Sequence, residues 1–133
     1  KLIKKRKKNL LIIGSRYLKN SKITGVSNIK IFFSKILNIL ISIIFDLRAI
    51  DISHSLRLFP SNFKISTKNY KHPSFFWEHT IKASRKNLKI IEIPINFDER
   101  KSGKTKNSFF KLFKSIIFSL KFLFVLKINK NTF

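Results

Sequence analysis

Cysteine is absent from the chain, so neither a disulfide framework nor a thiolate zinc site can be built, and the redox compartment stays open. Methionine is absent too, even at position 1, and the abrupt basic opening Lys1-Leu-Ile-Lys-Lys-Arg-Lys-Lys8 reads as the start of a fragment. The four apolar residues that follow, Leu10 to Ile13, are too few for a signal-peptide core. Glycine is scarce, with three in all, and no Walker loop or Gly-x-Gly-x-x-Gly is present. Acids are scarcer still relative to bases: Asp+Glu 6 against Lys+Arg 29 leaves +23 at pH 7. Such an excess points to an anionic partner, whether nucleic acid, phospholipid or a phosphorylated substrate, without choosing among them. His54, His72 and His79 lack metal-ligand spacing, and Ser53, His54 and Asp51 do not form a nucleophile elbow.

The 133 residues suit one domain. Leu10 to Ile13 is a short apolar run stopped by Gly14, the pattern of a buried strand. From Ile29 to Phe45 the apolar residues are interrupted by Lys30, Ser34, Asn38 and Ser42, a four-residue spacing that lines one side of a helix. This row suits either a phosphate-facing seam or a solvent stripe on a core helix. Phe75 to Lys86 reads as a second helix. Lys89 to Phe97 alternates as a strand, with Ile91, Ile93, Ile95 and Phe97 on one side, and Pro94 demands an edge position or a strand end. A third helix is expected from Phe109 to Leu126, with Lys111, Lys114 and Lys121 on one side. Those lysines interrupt the run too often for a membrane span, but suit a helix lying in the membrane interface. A C-terminal core helix capped by lysines is the alternative.

Arg100-Lys-Ser-Gly-Lys-Thr-Lys106 follows the second strand directly. Gly103 allows close backbone approach to an anion, Arg100 offers a planar fork, and Lys104 and Lys106 add point charges, as a diphosphate clamp requires. A solvated basic loop is the alternative reading.

Taken in order, Gly14-Ser-Arg-Tyr17, the row Lys30, Ser34 and Asn38, the segment Asp51-Ile-Ser-His-Ser-Leu-Arg57, Glu78, Glu92-Ile-Pro-Ile95 and Arg100 to Lys106 carry a resemblance. The chain resembles the C-terminal half of family 2 glycosyltransferases of the polyprenyl-phosphate type, which includes dolichol-phosphate mannosyltransferases, over roughly Leu10 to Leu126. Lys30 stands where that family has arginine, Ser55 where it has glycine and His54 where it has serine. The resemblance implies an α/β fold, part of a GT-A-type (Rossmann-like) domain over 1–106, with a basic amphipathic, membrane-associated helix over 107–133. It implies transfer of a sugar from a nucleotide-sugar to a polyprenyl phosphate at the cytoplasmic face of a membrane. Arg16, Lys30 and Ser34 would then hold the acceptor phosphate, Arg100, Lys104 and Lys106 the donor diphosphate, and Asp51 would be the catalytic carboxylate. A divalent metal, Mg or Mn, is implied as cofactor, its Asp-x-Asp ligands lying on family strands that precede this chain, so the chain alone is expected to be inactive. Two other readings stand beside this one: a small basic nucleic-acid-binding protein, although no recognised binding motif is visible, and a non-catalytic membrane-surface protein.

Overall fold

The computed structural model describes residues 9–64 and 74–98 and, near the C-terminus, residues 117, 118, 120, 121, 123–125, 127 and 128. The loop 100–106, with Arg100, Lys104 and Lys106, lies outside the described residues, as do His72, Lys111 and Lys114.

The described chain is mixed α/β. Strand β1 (Leu10–Ser15) is buried along its whole length and sits in the middle of a three-stranded sheet. Its companions are β3 (Arg57–Leu58), antiparallel on one side, and β4 (Lys89–Pro94), parallel on the other. A strand paired on both edges and covered on both faces reads as an unbroken apolar run, which is what Leu10 to Ile13 is. Leu11 and Ile13 face Ala83 and Leu88, while Leu10 and Ile12 pack with Ile93. Gly14 comes close to its neighbours: a Cβ there would lie 3.0 Å from both Ile95 Cγ2 and Leu56 Cδ2.

The expected strand from Lys89 to Phe97 is two strands. β4 ends at Pro94, and β5 (Asn96–Asp98) pairs in parallel with β2 (Lys22–Thr24) as a separate ribbon. Pro94 stands at the end of an edge strand, where a missing donor does least harm, and the ladder resumes with Ile95 N donating to Ser15 O at 3.1 Å.

Helix α1 (Asn28–Ile44) and helix α2 (Phe75–Arg85) match the two helices expected. Both stop in the same way. Asp46 (φ 51°) and Asn87 (φ 59°) take left-handed backbone just past the last turn. The next amides then reach back, Leu47 N to Ser42 O at 2.7 Å and Leu88 N to Ala83 O at 3.0 Å. This closes the orphaned carbonyls and turns an apolar residue, Leu47 or Leu88, into the core. The helical residues between 117 and 128 form a third helix, whose Leu123 joins Ile41, Leu47, Ile52, Trp77 and Ile81 in the main core. The expected start of that helix, from Phe109, lies outside the described residues.

Under α2 an aromatic group gathers around His79, whose ring lies 4.0 Å from that of Phe75 and 5.7 Å from that of Phe59. Burial, followed by the charges of Arg57 and Lys82, lowers the His79 pKa to about 4. The unfolded chain takes up this proton through about pH 6.5, so stability carried by neutral His79 is present above that value and is lost as pH falls to about 4. His54 is lowered as well, by burial and by Arg16, and acts with the same sign. Urea midpoints are expected to fall over this range, and His79→Gln to flatten the fall. An identical pH slope in that variant would refute the assignment.

Candidate functional site

The C-terminal ends of the parallel strands β1 and β4 bring together residues from four separate stretches of sequence. Arg16 emerges directly after β1 and makes a two-point contact with Asp51: Nε donates to Oδ2 and Nη2 to Oδ1, both at 2.8 Å. The Arg16 backbone amide donates to the same carboxylate at 2.9 Å. Asp51 is fully buried, whereas the Arg16 side chain keeps 18% of its surface exposed. Such a fork on a carboxylate fixes the plane of the guanidinium as well as its position. Burial opposes the Arg16 charge, but the hydrogen bond and Coulomb attraction of Asp51 prevail and hold its pKa above the ordinary value. The guanidinium also lies 5.1 Å from the centre of the Tyr17 ring and 5.7 Å from that of Phe97.

Ser53 connects this pair to helix α1. Its hydroxyl receives hydrogen bonds from Arg16 Nη2 and Asn38 Nδ2, each at 3.1 Å. Asn38 Nδ2 also donates to the Ser34 carbonyl at 2.7 Å, and the Ser34 hydroxyl accepts from the Tyr17 hydroxyl at 2.8 Å. Burial raises the Tyr17 pKa despite that bond and the nearby Arg16, so the phenol is a neutral donor. The Asp51 segment is itself clamped: both oxygens of Glu92 accept backbone amides, from Ile50 and Asp51, at 2.7 Å each.

The residues expected to hold an acceptor phosphate are thus partly assembled. Arg16 and Ser34 meet through Tyr17 and Ser53, while Lys30, one turn before Ser34, is exposed and joins no described hydrogen bond. Asp51, expected as the catalytic carboxylate, is enclosed and committed to Arg16, so its geometry suits positioning. Arg100, Lys104 and Lys106 lie outside the described residues. For a divalent metal the described residues offer no fit: no three of His, Cys, Asp or Glu form a cluster, and Asp51 and Glu92 have both oxygens engaged.

Tyr17, Glu92 and Arg57 belong to the motifs that carry the resemblance, but no binding or catalytic role follows for them from the sequence. The signal for Glu92 is a lone acid in an apolar strand, two residues before the proline that ends it. Arg57 lies deep beside the network. Its Nε donates to His54 O at 2.8 Å, Nη1 to Phe76 O and Thr80 Oγ1 at 2.6 and 2.7 Å, and Nη2 to Ile52 O. It ties the segment after Asp51 to α2.

Among the described residues, no helix is long and apolar enough to cross a membrane. Comparisons of the chain with protein-family models, with curated proteins and with solved structures give no match.

Proposed function

We propose that this chain is the acceptor side of a glycosyltransferase of GT-A type that passes a sugar from a nucleotide-sugar to a polyprenyl phosphate at a membrane surface. The observation that carries the reading is the Arg16–Asp51–Ser53–Asn38–Ser34–Tyr17 network at the C-terminal ends of β1 and β4. Ligands of open α/β sheets gather at such strand ends. The family-like motifs around Gly14, Ser34, Asp51 and Glu92 are far apart in sequence, and they converge there on one arginine.

In this reading Asp51 and Glu92 are positioning residues. Glu92 holds the backbone of the Asp51 segment, Asp51 holds the plane of Arg16, and Arg16 presents its remaining amino group, Nη1, which has no partner among the described residues, to the acceptor phosphate. Preorganised charge of this kind binds an oxyanion without having to rearrange. Arg100, Lys104 and Lys106 supply charge for the departing nucleoside diphosphate, and the metal expected of the family would have its ligands on family strands that precede this chain.

Binding of undecaprenyl phosphate and of undecaprenol, each presented to the full chain in neutral nanodiscs, tests the proposal. The phosphate is expected to bind about 10- to 100-fold more tightly, the value of one charge-assisted contact, and Arg16→Lys to remove most of that preference. Equal binding of the phosphate and the alcohol would overturn the reading.

A further inference from the structure

Helix α1 buries a polar row beside its core residue Ile41 and leaves a wide apolar face outside. Its polar row, Ser34, Asn38 and Ser42, faces the protein, and Asn38 and Ser42 are buried. Its apolar residues Ile29, Phe32, Phe33, Ile36, Leu40 and Ile43 face outward, with exposures of 67%, 60%, 60%, 38%, 51% and 71%. With 3.6 residues per turn these six fill a continuous arc of about 100°. Lys30 and Lys35, both exposed, fall on either side of that arc. Where the C-terminal helix crosses the end of α1, Lys127 Nζ donates to Ile44 O, and the apolar surface continues onto Phe124, Val125 and Ile128, also exposed. Neither helix has an acidic residue among those described.

We infer that this face is a docking surface for an anionic lipid bilayer, with α1 lying in the interface plane, its phenylalanines among the acyl chains and Lys30 and Lys35 at the level of the lipid phosphates. Three observations choose lipid over the other occupants. An apolar arc with a lysine at each edge is the arrangement by which interfacial helices bind, the aliphatic stems lying along the apolar surface while the ammonium groups reach phosphate. A second copy is disfavoured, because each chain carries +23 and the face has no carboxylate to meet the partner's lysines. The inward polar row is the third: the buried side of α1 is shared between the hydrogen bonds of the Arg16 network and Ile41 of the main core, which leaves Ile29, Phe32, Phe33, Ile36, Leu40 and Ile43 on the outside.

The inference goes beyond sugar transfer and does not need it, so its test uses vesicles with no polyprenyl phosphate. Because the chain has no native cysteine, Phe33→Cys, Leu40→Cys and, as a control on the loop after β3, Asn62→Cys can each carry one environment-sensitive fluorophore. Vesicles of phosphatidylcholine and phosphatidylglycerol are expected to shift the emission of the first two to the blue and to leave the third unchanged. In flotation, Phe33→Glu combined with Leu40→Glu is expected to reduce vesicle binding at least about tenfold, and Lys30→Ala or Lys35→Ala about fivefold each. These side chains are exposed, so the far-ultraviolet circular dichroism should not change. Vesicle binding with no emission change at positions 33 and 40 would place the membrane contact elsewhere and overturn the inference. Labels shielded without lipid, in a chain that sediments as a dimer, would overturn it in favour of a second copy.

Discussion

Asp51→Ala is expected to lower the unfolding free energy by about 3–5 kcal/mol, the loss found when one partner of a buried, hydrogen-bonded charge pair is removed. The Asp51 carboxylate accepts the Arg16 amide, Nε and Nη2 and, at 3.3 Å, the Ser53 hydroxyl. Without it a partly buried guanidinium and a backbone amide lose their acceptor together. The more informative variant is Asp51→Asn, which keeps the shape and removes the charge. Oδ2 faces two N–H groups of Arg16 and Oδ1 faces a third, so whichever way the amide is turned, its NH₂ meets a donor. Asn is therefore expected to cost nearly as much as Ala, whereas Asp98→Asn on exposed β5 should stay within about 0.5 kcal/mol of the parent. Urea unfolding followed through the fluorescence of Trp77, the chain's one tryptophan and part of the main core, measures all three. A loss below about 1 kcal/mol in Asp51→Asn would mean that the Arg16 pair does not hold this site together.

That result would also bear on function. If Asp51 acts by holding Arg16, Asp51→Asn should weaken polyprenyl-phosphate binding even under conditions where the variant remains folded. A carboxylate that acted only in the chemistry of transfer would leave acceptor binding unchanged.

Much of the fold is legible in the sequence because local and long-range preferences agree. Leu10 to Ile13 is apolar without interruption and is the central strand; the four-residue spacing from Lys30 to Ser42 is a helix; Phe75 to Lys86 is another. The elements that escape notice are short. β2 and β3 have three and two residues, and each exists only through a partner far away in sequence, so no period marks them, while the alternation that covers β4 and most of β5 does not show the break between them. The orientation of α1 could not be read either. Its pattern shows a polar seam and an apolar arc, and ordinary burial would turn the arc inward. The tertiary contacts of Asn38 with Ser53 and of Ser34 with Tyr17 decide otherwise. At the site, Arg16 and Asp51 were identified individually from the motifs, but their pairing across 35 positions was not. With six acids to 29 bases, a buried carboxylate is in demand, and both that the described residues bury are taken by a cation, Asp51 by Arg16 at 2.8 Å and Glu78 by Lys82 at 2.6 Å.

Arg57 shows how the site is fastened to the rest of the protein, and Arg57→Met is expected to cost about 2–4 kcal/mol. Two opposed effects meet at this residue. Four acceptors lose a donor: Ile52 O, His54 O, Phe76 O and Thr80 Oγ1. Thr80 Oγ1 remains within reach of Phe76 O at 3.0 Å and of Ile52 O at 3.4 Å, but its single proton serves one of them at a time, so the uncompensated loss falls on the His54 carbonyl and on one of these two, at about 1–3 kcal/mol each. Against this, methionine relieves the burial of a charge. Burial lowers the Arg57 pKa to about 9, with Asp51 pulling the other way, so the residue remains a cation at neutral pH and bears a desolvation cost. Methionine keeps an unbranched stem of similar length but also gives up the contact of the guanidinium, which lies 5.1 Å over the Phe76 ring, so that loss adds to the polar one. Because the bonds of Arg57 tie residues 52–54 to α2, the damage should be local as well as global. Amide hydrogen exchange is expected to speed up more over residues 50–57 than over β1, and Arg57→Lys, which can satisfy only part of the fork, should fall between parent and Met. Uniform acceleration across the chain would show that Arg57 supports the fold as a whole. Unchanged exchange over residues 50–57 would release Arg57 from any part in holding the Asp51 segment, and would leave that to the Glu92 clamp and to the bonds of Asp51 and Ser53 with Arg16 and Asn38.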